Sequence, residues 1–486
     1  MSCRISCKDF KLGYYLVGAV LVNIGNRHFT YFNQSQFAQF SGDFNPIHLD
    51  QIEARKTIAG QPIVHGIHCF LWMLECLIQR EESVFINYDI RFANQINLEQ
   101  EVSAIWNRES KELKLLGKND LIYISVKCED PTSFGVIANK TSPVTPSNTI
   151  TQPTDLDLSA VSVGDTFENL CGGNKELATS LFPYLTEALG GDVVYEIALL
   201  TSVSGMIVPG LHSLLFGINI TFKDGVDNQI VTVNSKREFS RLIELGYVGI
   251  NLDAKIKAFF RPKSVTIPSC EDLSHQLPAT LSMTGKKVLV IGGSRGLGAW
   301  VAKLVGISGG DVTITFNTGK DDAELVAQDI RSYGGVCDCV HMNVSQDLKV
   351  EIFKTTFDYL FYFATPKILM NKSSVFDEDL HEIFYNFYVR DFKKTVEFFV
   401  PLGVSRVLYP STMFIDDAKK EFKEYIEAKI EGEKVCDELS KNHPVKVVKP
   451  RIPPVSTDQT LSLIPTVKEN TIDIVLSILA LMSFDD

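Results

Sequence analysis

The chain has 486 residues, of which 45% are hydrophobic and 22% charged. That balance excludes a disordered, collagen-like or small disulfide-scaffold chain, and at about 150 residues per domain it suggests about three domains. Lys and Arg total 47 against 59 Asp and Glu, a net charge of −12, which argues against a nucleic-acid partner.

The first predicted domain covers residues 1–130. Its opening MSCRISCKDFK lacks the apolar core and cleavage site of a secretory signal, and Tyr14–Val22 is too short to span a bilayer. The stretch Phe37-Ala-Gln-Phe-Ser-Gly-Asp-Phe-Asn-Pro-Ile-His-Leu-Asp50 gathers polar groups without a repeat. Asn45-Pro46 favours a turn, because Pro drives the preceding residue out of the helical region. A turn there brings the Asp43 carboxylate and the His48 imidazole to face one cleft. Such a pair can hold a water and exchange protons, which is the equipment of hydration and dehydration. Gly66 then opens the apolar stretch Ile67–Leu77, and an exposed amide at a helix N-terminus can polarise a carbonyl.

Residues 131–159 read as a linker, with TSPVTPSNTITQPTDLD in their midst. The second domain, 160–262, again combines one apolar helix with β-rich stretches. Ile207–Leu215 resembles Ile63–Leu71, sharing Ile, Val, Gly, His and the final Leu at a separation of 144 residues, which predicts an internal repeat with a helix at that point. Residues 263–284 form a second linker.

The third domain, 285–486, alternates strands with helices. Strands are predicted at Lys287–Ile291, Asp311–Phe316, Val336–Met342, Tyr359–Phe363, Arg406–Tyr409 and Val445–Lys449. Helices are predicted at Ala299–Ser308, Asp321–Tyr333, Asp377–Phe399 and Ala418–Ser440. This alternation predicts a parallel sheet wound on both faces. The last apolar stretch, Ile474–Met482, is again too short for a membrane span. The ten cysteines show no paired metal-ligand spacing. Cys3/Cys7 and Cys337/Cys339 therefore read as reduced thiols in a cytoplasmic protein, with no metal expected.

Between the first of these strands and its helix lies Ile291-Gly-Gly-Ser-Arg-Gly-Leu-Gly298. Gly292, Gly296 and Gly298 permit a tight turn and close approach to a pyrophosphate, which then faces the helix N-terminus. Ser294, Arg295 and Leu297 complete that turn. Tyr425 and Lys429 stand one helical turn apart on one face. A nearby ammonium lowers a phenol's pKa and suits it to donate a proton during carbonyl reduction. Ser411 precedes that Tyr by 14 residues. An acidic residue closing the second strand would bind the ribose of NADH. Asn317-Thr318 stands there instead, with Lys320 close by and Arg295 in the turn, so NADPH is favoured over NADH. Helix N-capping accounts for Asp321 and Asp322.

Two family resemblances rest on these strings. F-x-x-F-S-G-D-x-N-P-I-H-x-D followed by I-V-H-G resembles the MaoC-like (R)-specific enoyl-thioester hydratases, over roughly residues 10–128. The resemblance implies a hot-dog fold, with Asp43 and His48 as the acid/base pair and the Gly66 amide on the thioester oxygen. It also implies supporting, substrate-side places for Asn45 and His65. His68 reads as a packing residue. The second domain lacks this string and has Pro209 at the motif His, so it resembles a degenerate second hot dog. Residues 285–460 resemble the short-chain dehydrogenase/reductases. That implies Ser411 orienting the carbonyl, Tyr425 donating the proton, and Lys429 holding the ribose and tuning the Tyr. Asn386 lies on the helix where the family keeps a catalytic Asn, and Asn343 and Ala364 border the cofactor. The sequence departs from that family at Phe361-Tyr-Phe-Ala-Thr-Pro366, where N-N-A-G is usual, at Asn343 in place of Asp, and at Pro450-Arg451 in place of P-G.

The expected fold is an α+β double hot-dog followed by an α/β Rossmann-type doubly wound parallel sheet. The expected protein is a bifunctional enzyme that reduces a 3-oxoacyl thioester with NADPH and dehydrates the 3-hydroxyacyl product, or runs the hydration in reverse. Its substrate would be an acyl thioester on acyl carrier protein or coenzyme A. Reductases of this kind pair through helices, which leaves a homodimer open. The rival readings are a degradative NAD-dependent hydratase/dehydrogenase and a partly inactive acyl-binding scaffold.

Overall fold

The computed structural model of the protein describes residues 21–81, 83–133, 144, 151–168, 170, 172–223, 229–353, 355–368, 375–417, 419–463 and 467–483. Cys3, Cys7, most of Tyr14–Val22 and the middle of the 131–159 linker lie outside the described residues. The chain divides into two compact units. One holds the described residues of Met1–Asn45, Val64–Lys236 and Ile243–Ala258; the other holds Pro46–Ile63, Arg237–Leu242 and Phe259–Asp486.

The first unit is organised on a ten-stranded sheet. Its first half contributes β1 (Leu21–His28), β2 (Ser83–Phe92), β3 (Glu101–Asn107), β4 (Glu112–Leu116) and β5 (Ile122–Ser133). Its second half contributes β6 (Thr166–Phe167), β7 (Ser213–Phe222), β8 (Ile230–Arg237), β9 (Leu242–Val248) and β10 (Leu252–Phe260). The strand order is β1-β3-β4-β5-β2-β7-β10-β9-β8-β6, and β2 pairs antiparallel with β7 at the join. Read outward from that join, each half runs in the same order. The helices α1 (Tyr31–Ser41) and α4 (Gly66–Ile78) belong to the first half, with α2 (Pro46–Leu49) and α3 (Gln51–Arg55) between them in sequence. The second half carries α5 (Ala178–Leu181), α6 (Pro183–Leu189) and α7 (Gly191–Ser202).

α4 and α7 are apolar around nearly their whole circumference, and nearly every residue of each is buried. A helix with no polar stripe must be enclosed. α4 packs on β1, β2 and β3 and against α7.

The internal repeat is real in topology but differently placed from the sequence match. Residues 207–215 are not the start of a helix: Val208-Pro209 is a cis peptide and Ser213 opens β7. The counterpart of α4 is α7, which lies before that segment. The corresponding strands β2 and β7 open at Ser83 and Ser213, an offset of 130. The short match at 144 paired a helix start with a strand entry, because a few apolar residues and a Gly suit either.

The second unit contains a six-stranded sheet of β11 (Lys287–Ile291), β12 (Asp311–Phe316), β13 (Val336–His341), β14 (Tyr359–Tyr362), β15 (Arg406–Leu408) and β17 (Lys446–Val448). Its order is β13-β12-β11-β14-β15-β17 and every pair is parallel. This is the doubly wound arrangement, with strand order reversing beside β11. Alternate residues of β11 feed opposite layers. Val288 and Val290 join a core with α9 (Gly296–Ile307), α10 (Lys320–Ser332) and α15 (Thr471–Ser483); Leu289 and Ile291 join the other. Fully burying one such side chain contributes about 1.5–3 kcal/mol.

That other layer is built from α11 (Glu378–Tyr385), α12 (Asp391–Phe399) and α14 (Lys423–Asn442). The single helix predicted over 377–399 is interrupted by a π-helical turn at Asn386–Arg390. A short parallel pair, β16 (Ser411–Thr412) with β18 (Arg451–Ile452), sits at the carboxyl end of the sheet. Ile474–Met482 lies within α15, with Val475, Ile478, Leu479 and Met482 in the core. Among the described residues no helix is long and apolar enough to cross a membrane.

Candidate active sites

In the first unit, α1 stops at Gly42, which takes φ 78° as a left-handed cap. Only Gly adopts that conformation cheaply, and a Cβ there would meet the Gly172 backbone at 2.6 Å. The stop delivers Asp43 into the interior, where it is 1% exposed. Its Oδ1 accepts from Asn45 N at 3.1 Å and its Oδ2 from Thr201 Oγ1 at 2.7 Å. Thr201 lies in the last turn of α7, in the half that lacks the motif. No sequence string marks it; only the topology brings it to Asp43.

Beyond Thr201 the helix widens into a π-helical turn, Val203–Ile207. Gly205 in that turn lies against the carboxylate, and a Cβ would come within 2.5 Å of Asp43 Oδ1. Gly205→Ala is expected to lower stability by about 1–3 kcal/mol, read as a lower urea midpoint at unchanged slope. The Asn45 carboxamide donates to Gly205 O at 2.9 Å and to Gly210 O at 3.0 Å, so it fastens the main chain of this turn.

His65 is fully buried. Gln34 Oε1 accepts from His65 N at 3.0 Å and faces His65 Nδ1 at 2.8 Å. The opposite nitrogen, Nε2, lies 3.2 Å from Asp43 O and 3.9 Å from Asp43 Oδ2. His65 therefore lies between Gln34 and the main chain of Asp43. His68 stacks on Phe37 at 4.5 Å, and burial pulls its pKa well below the usual imidazole range. It is a neutral core residue. Gly66 is the first residue of α4, and the preceding His65 supplies no side-chain cap. A Cβ on Gly66 would lie 2.6 Å from the Phe92 ring, so close packing requires glycine there. His48 belongs to the Pro46–Ile63 segment of the second unit. Its Nδ1 donates to Ile63 O at 2.8 Å, which leaves Nε2 as the acceptor of the neutral ring.

The second unit encloses a cavity of about 420 Å³ at the carboxyl end of its sheet. Gly292, Ser294, Arg295, Gly296, Leu297 and Gly298 line it, as do Asn317, Thr318, Asn343 and Ala364. Gly292 has φ 74°, and a Cβ would meet the Phe363 carbonyl at 2.9 Å. A Cβ on Gly298 would run into Gly292 O. Backbone amides are thus left bare at the start of α9, a cradle that fits a dinucleotide pyrophosphate.

Tyr425 and Lys429 line the same cavity. Burial pushes the Tyr425 phenol up to about 12, while its hydrogen bond with the Thr412 side chain acts the other way. Lys429 Nζ donates to Pro410 O at 2.6 Å and lies 3.8 Å from the Tyr388 ring centroid. Burial draws it down to about 7.

Ser411 and Thr412 divide their work differently from expectation. Ser411 Oγ donates to Glu433 Oε1 at 2.5 Å. Glu433 is held by Arg451 through Nε at 2.9 Å and Nη2 at 2.8 Å, which keeps its carboxyl below the usual range. The Ser411 hydroxyl is engaged by that carboxylate, and the neighbouring Thr412 hydroxyl lowers the phenol's pKa. The two residues form β16, and both line the cavity. Glu433 continues the four-residue spacing of Tyr425 and Lys429 along α14, and that spacing was visible in the sequence.

Asn386, expected as a catalytic residue, does not line the cavity. It opens the π-helical turn, and its Oδ1 accepts from Arg390 Nη1 at 2.7 Å on the exposed side. Tyr388 takes the inward place, with its hydroxyl 2.5 Å from Thr365 Oγ1 and its ring 5.6 Å from Tyr425. The widened turn changes which residue faces inward, and a uniform helical period misses that shift.

A family model described as MaoC like domain matches residues 26–120. No curated protein matches the chain. Similar solved structures include a 3-oxoacyl (acyl-carrier-protein) reductase from Agrobacterium tumefaciens with NADP bound, 19% identical, covering 37% of this chain and 74% of that one, with a TM-score of 0.34. An angucycline C-6 ketoreductase with bound NADP is 19% identical and covers 42% of this chain and 91% of its own, at a TM-score of 0.38. A dehydrogenase/reductase from Sinorhizobium meliloti is 16% identical and covers 42% and 89%, at a TM-score of 0.36. The chain contains a MaoC-like domain, ahead of a doubly wound parallel unit with a glycine turn.

Proposed function

We propose that the protein is a bifunctional enzyme of acyl-thioester metabolism. It reduces a 3-oxoacyl thioester to the 3-hydroxyacyl thioester with NADPH, and dehydrates that product to the 2-enoyl thioester or runs the hydration in reverse. The observation that carries the reading is the gathering of the glycine turn, Tyr425, Lys429 and Thr412 in one cavity. When bound, the nicotinamide supplies the hydride. Tyr425 gives its proton to the carbonyl oxygen, Thr412 orients that oxygen, and the Lys429 ammonium eases the loss of the phenolic proton. Ser411 holds the short strand in place through Glu433 and Arg451.

The MaoC-like domain supports the second activity. In this reading Asp43 and His48 activate the water, the Gly66 amide receives the thioester oxygen, and the second half is a degenerate partner that supplies Thr201. The carrier is acyl carrier protein or coenzyme A, the direction biosynthetic and the setting a reducing cytoplasm. A homodimer through the helices of the second unit belongs to the same reading.

A panel of 3-oxoacyl thioesters assayed with NADPH and with NADH tests it. NADPH oxidation dependent on the thioester is expected; activity with NADH alone would favour the degradative reading, and none with either would sink the reductase. The reduction should also decline as pH rises through about 7, where Lys429 loses its proton. Above that pH the ammonium no longer assists Tyr425. A profile flat across neutrality would reject Lys429 as the tuning group.

A further inference from the structure

The segment Pro46–Ile63 follows directly on the Asp43 motif in sequence, yet it belongs to the second unit. Asp50 caps α3, its Oδ1 accepting from Ile52 N at 2.8 Å and Glu53 N at 3.0 Å. The helix ends on Arg55, which lines the cavity beside Asn317 and Thr318. Arg55 Nη1 donates to Thr318 Oγ1 at 2.9 Å and Nη2 to Asp322 Oδ2 at 2.5 Å. Its Nε is buried without a hydrogen-bond partner, so the guanidinium has a donor left over.

Two further cations converge on Asp322. Arg295 Nη1 lies 3.4 Å from Oδ2, and Lys56 Nζ lies 3.4 Å from Oδ1. With both oxygens engaged, this carboxylate is poorly placed to accept a ribose hydroxyl. Lys56 is shared with Glu53 at 2.8 Å, and Arg295 with Asp458. Among the described residues Arg55 has Asp322 as its one acidic partner. The cluster lies just past β12, at the strand end where a bound dinucleotide places its adenosine ribose. Gly319 leaves room for the guanidinium, since a Cβ there would collide with Nη2.

We propose that Arg55 is a specificity-determining residue that receives the 2′-phosphate of NADP(H), together with Arg295. The fork of a guanidinium matches a phosphate, and Arg55 reaches it from a segment far outside the glycine-turn sequence. This inference rests on the reductase reading above. It makes the cofactor preference depend on a helix from the stretch that also carries His48.

The test is calorimetric titration of the full-length chain with 2′,5′-ADP and with 5′-AMP, which lacks the 2′-phosphate. Wild type should bind 2′,5′-ADP more tightly. Arg55→Ala should weaken 2′,5′-ADP about 10- to 100-fold and leave 5′-AMP within about twofold. Arg55→Gln keeps the aliphatic start of the side chain and a polar amide but loses the charge and the guanidinium fork. It gives the same readout if the Ala variant does not fold. Unchanged 2′,5′-ADP affinity, or an equal loss for both nucleotides, would overturn the assignment. Equal wild-type affinity for the two nucleotides would overturn it too. If wild type binds neither nucleotide nor NADPH, the reductase reading itself fails, and the inference with it.

Discussion

Tyr425→Phe is expected to lower thioester reduction about 10²- to 10⁴-fold, the usual contribution of a positioned proton donor, while hydration of an enoyl thioester continues. The substitution removes one oxygen and keeps the ring. The ring's contacts with Phe384 at 5.6 Å and Tyr388 at 5.6 Å survive, so folding should not change. Two neighbouring variants sharpen the result. Thr412→Val removes the hydroxyl that bonds the phenol. Its loss should cost about tenfold, in line with one hydrogen bond of about 1–1.5 kcal/mol. Ser411→Ala removes a hydroxyl already committed to Glu433, and its direct effect on turnover should be under about threefold by the same reasoning. Turnover by NADPH absorbance with a 3-oxoacyl thioester measures all three. An undiminished rate in Tyr425→Phe would reject the proton-donor role; a larger loss in Ser411→Ala than in Thr412→Val would reverse the roles of the two hydroxyls.

Asp43→Asn should reduce hydration of a crotonyl-type thioester by about 10²- to 10⁴-fold and leave NADPH-dependent reduction intact. The carboxylate accepts from Thr201 Oγ1 and from Asn45 N. A carboxamide can satisfy one of these donors with its oxygen but turns an NH₂ toward the other. Stability should therefore fall by about 1–3 kcal/mol as well. Thr201→Val separates the two effects, because it keeps the carboxylate and removes only its partner from the second half. Hydration by Asp43→Asn at the wild-type rate would exclude Asp43 from the chemistry, and no hydration by wild type would reduce the first unit to a scaffold.

Much of the second unit was legible residue by residue. The run Lys287–Ile291 is apolar and short, and Gly292 follows at a position that demands a left-handed turn. These signals depend only on neighbours in the chain, so a strand, a turn and a helix can be read directly. The Asn386 region was not legible in the same way. A π-helical turn inserts one residue into the period, and nothing in the local composition of Asn386–Arg390 announces it. The repeat in the first unit failed for a related reason. The nine residues at Ile63 and Ile207 look alike, but one run enters α4 and the other enters β7. Which structure an apolar run adopts is decided by what packs around it.

The sequence by itself determined where the local turns fall and which strings carry chemistry: the Asn45-Pro46 turn after Asp43, the Gly292–Gly298 turn, and the Tyr425/Lys429 spacing on one helical face. These follow from backbone sterics and helical period, which act over a few residues. The tertiary structure alone decided the partners. Thr201 meets Asp43 across 158 residues, and Arg55 meets Asp322 across 267. Ser411 meets Glu433 across 22 residues. Such pairings are set by sheet order and helix packing, and one sequence read alone carries no signal for contacts at that separation.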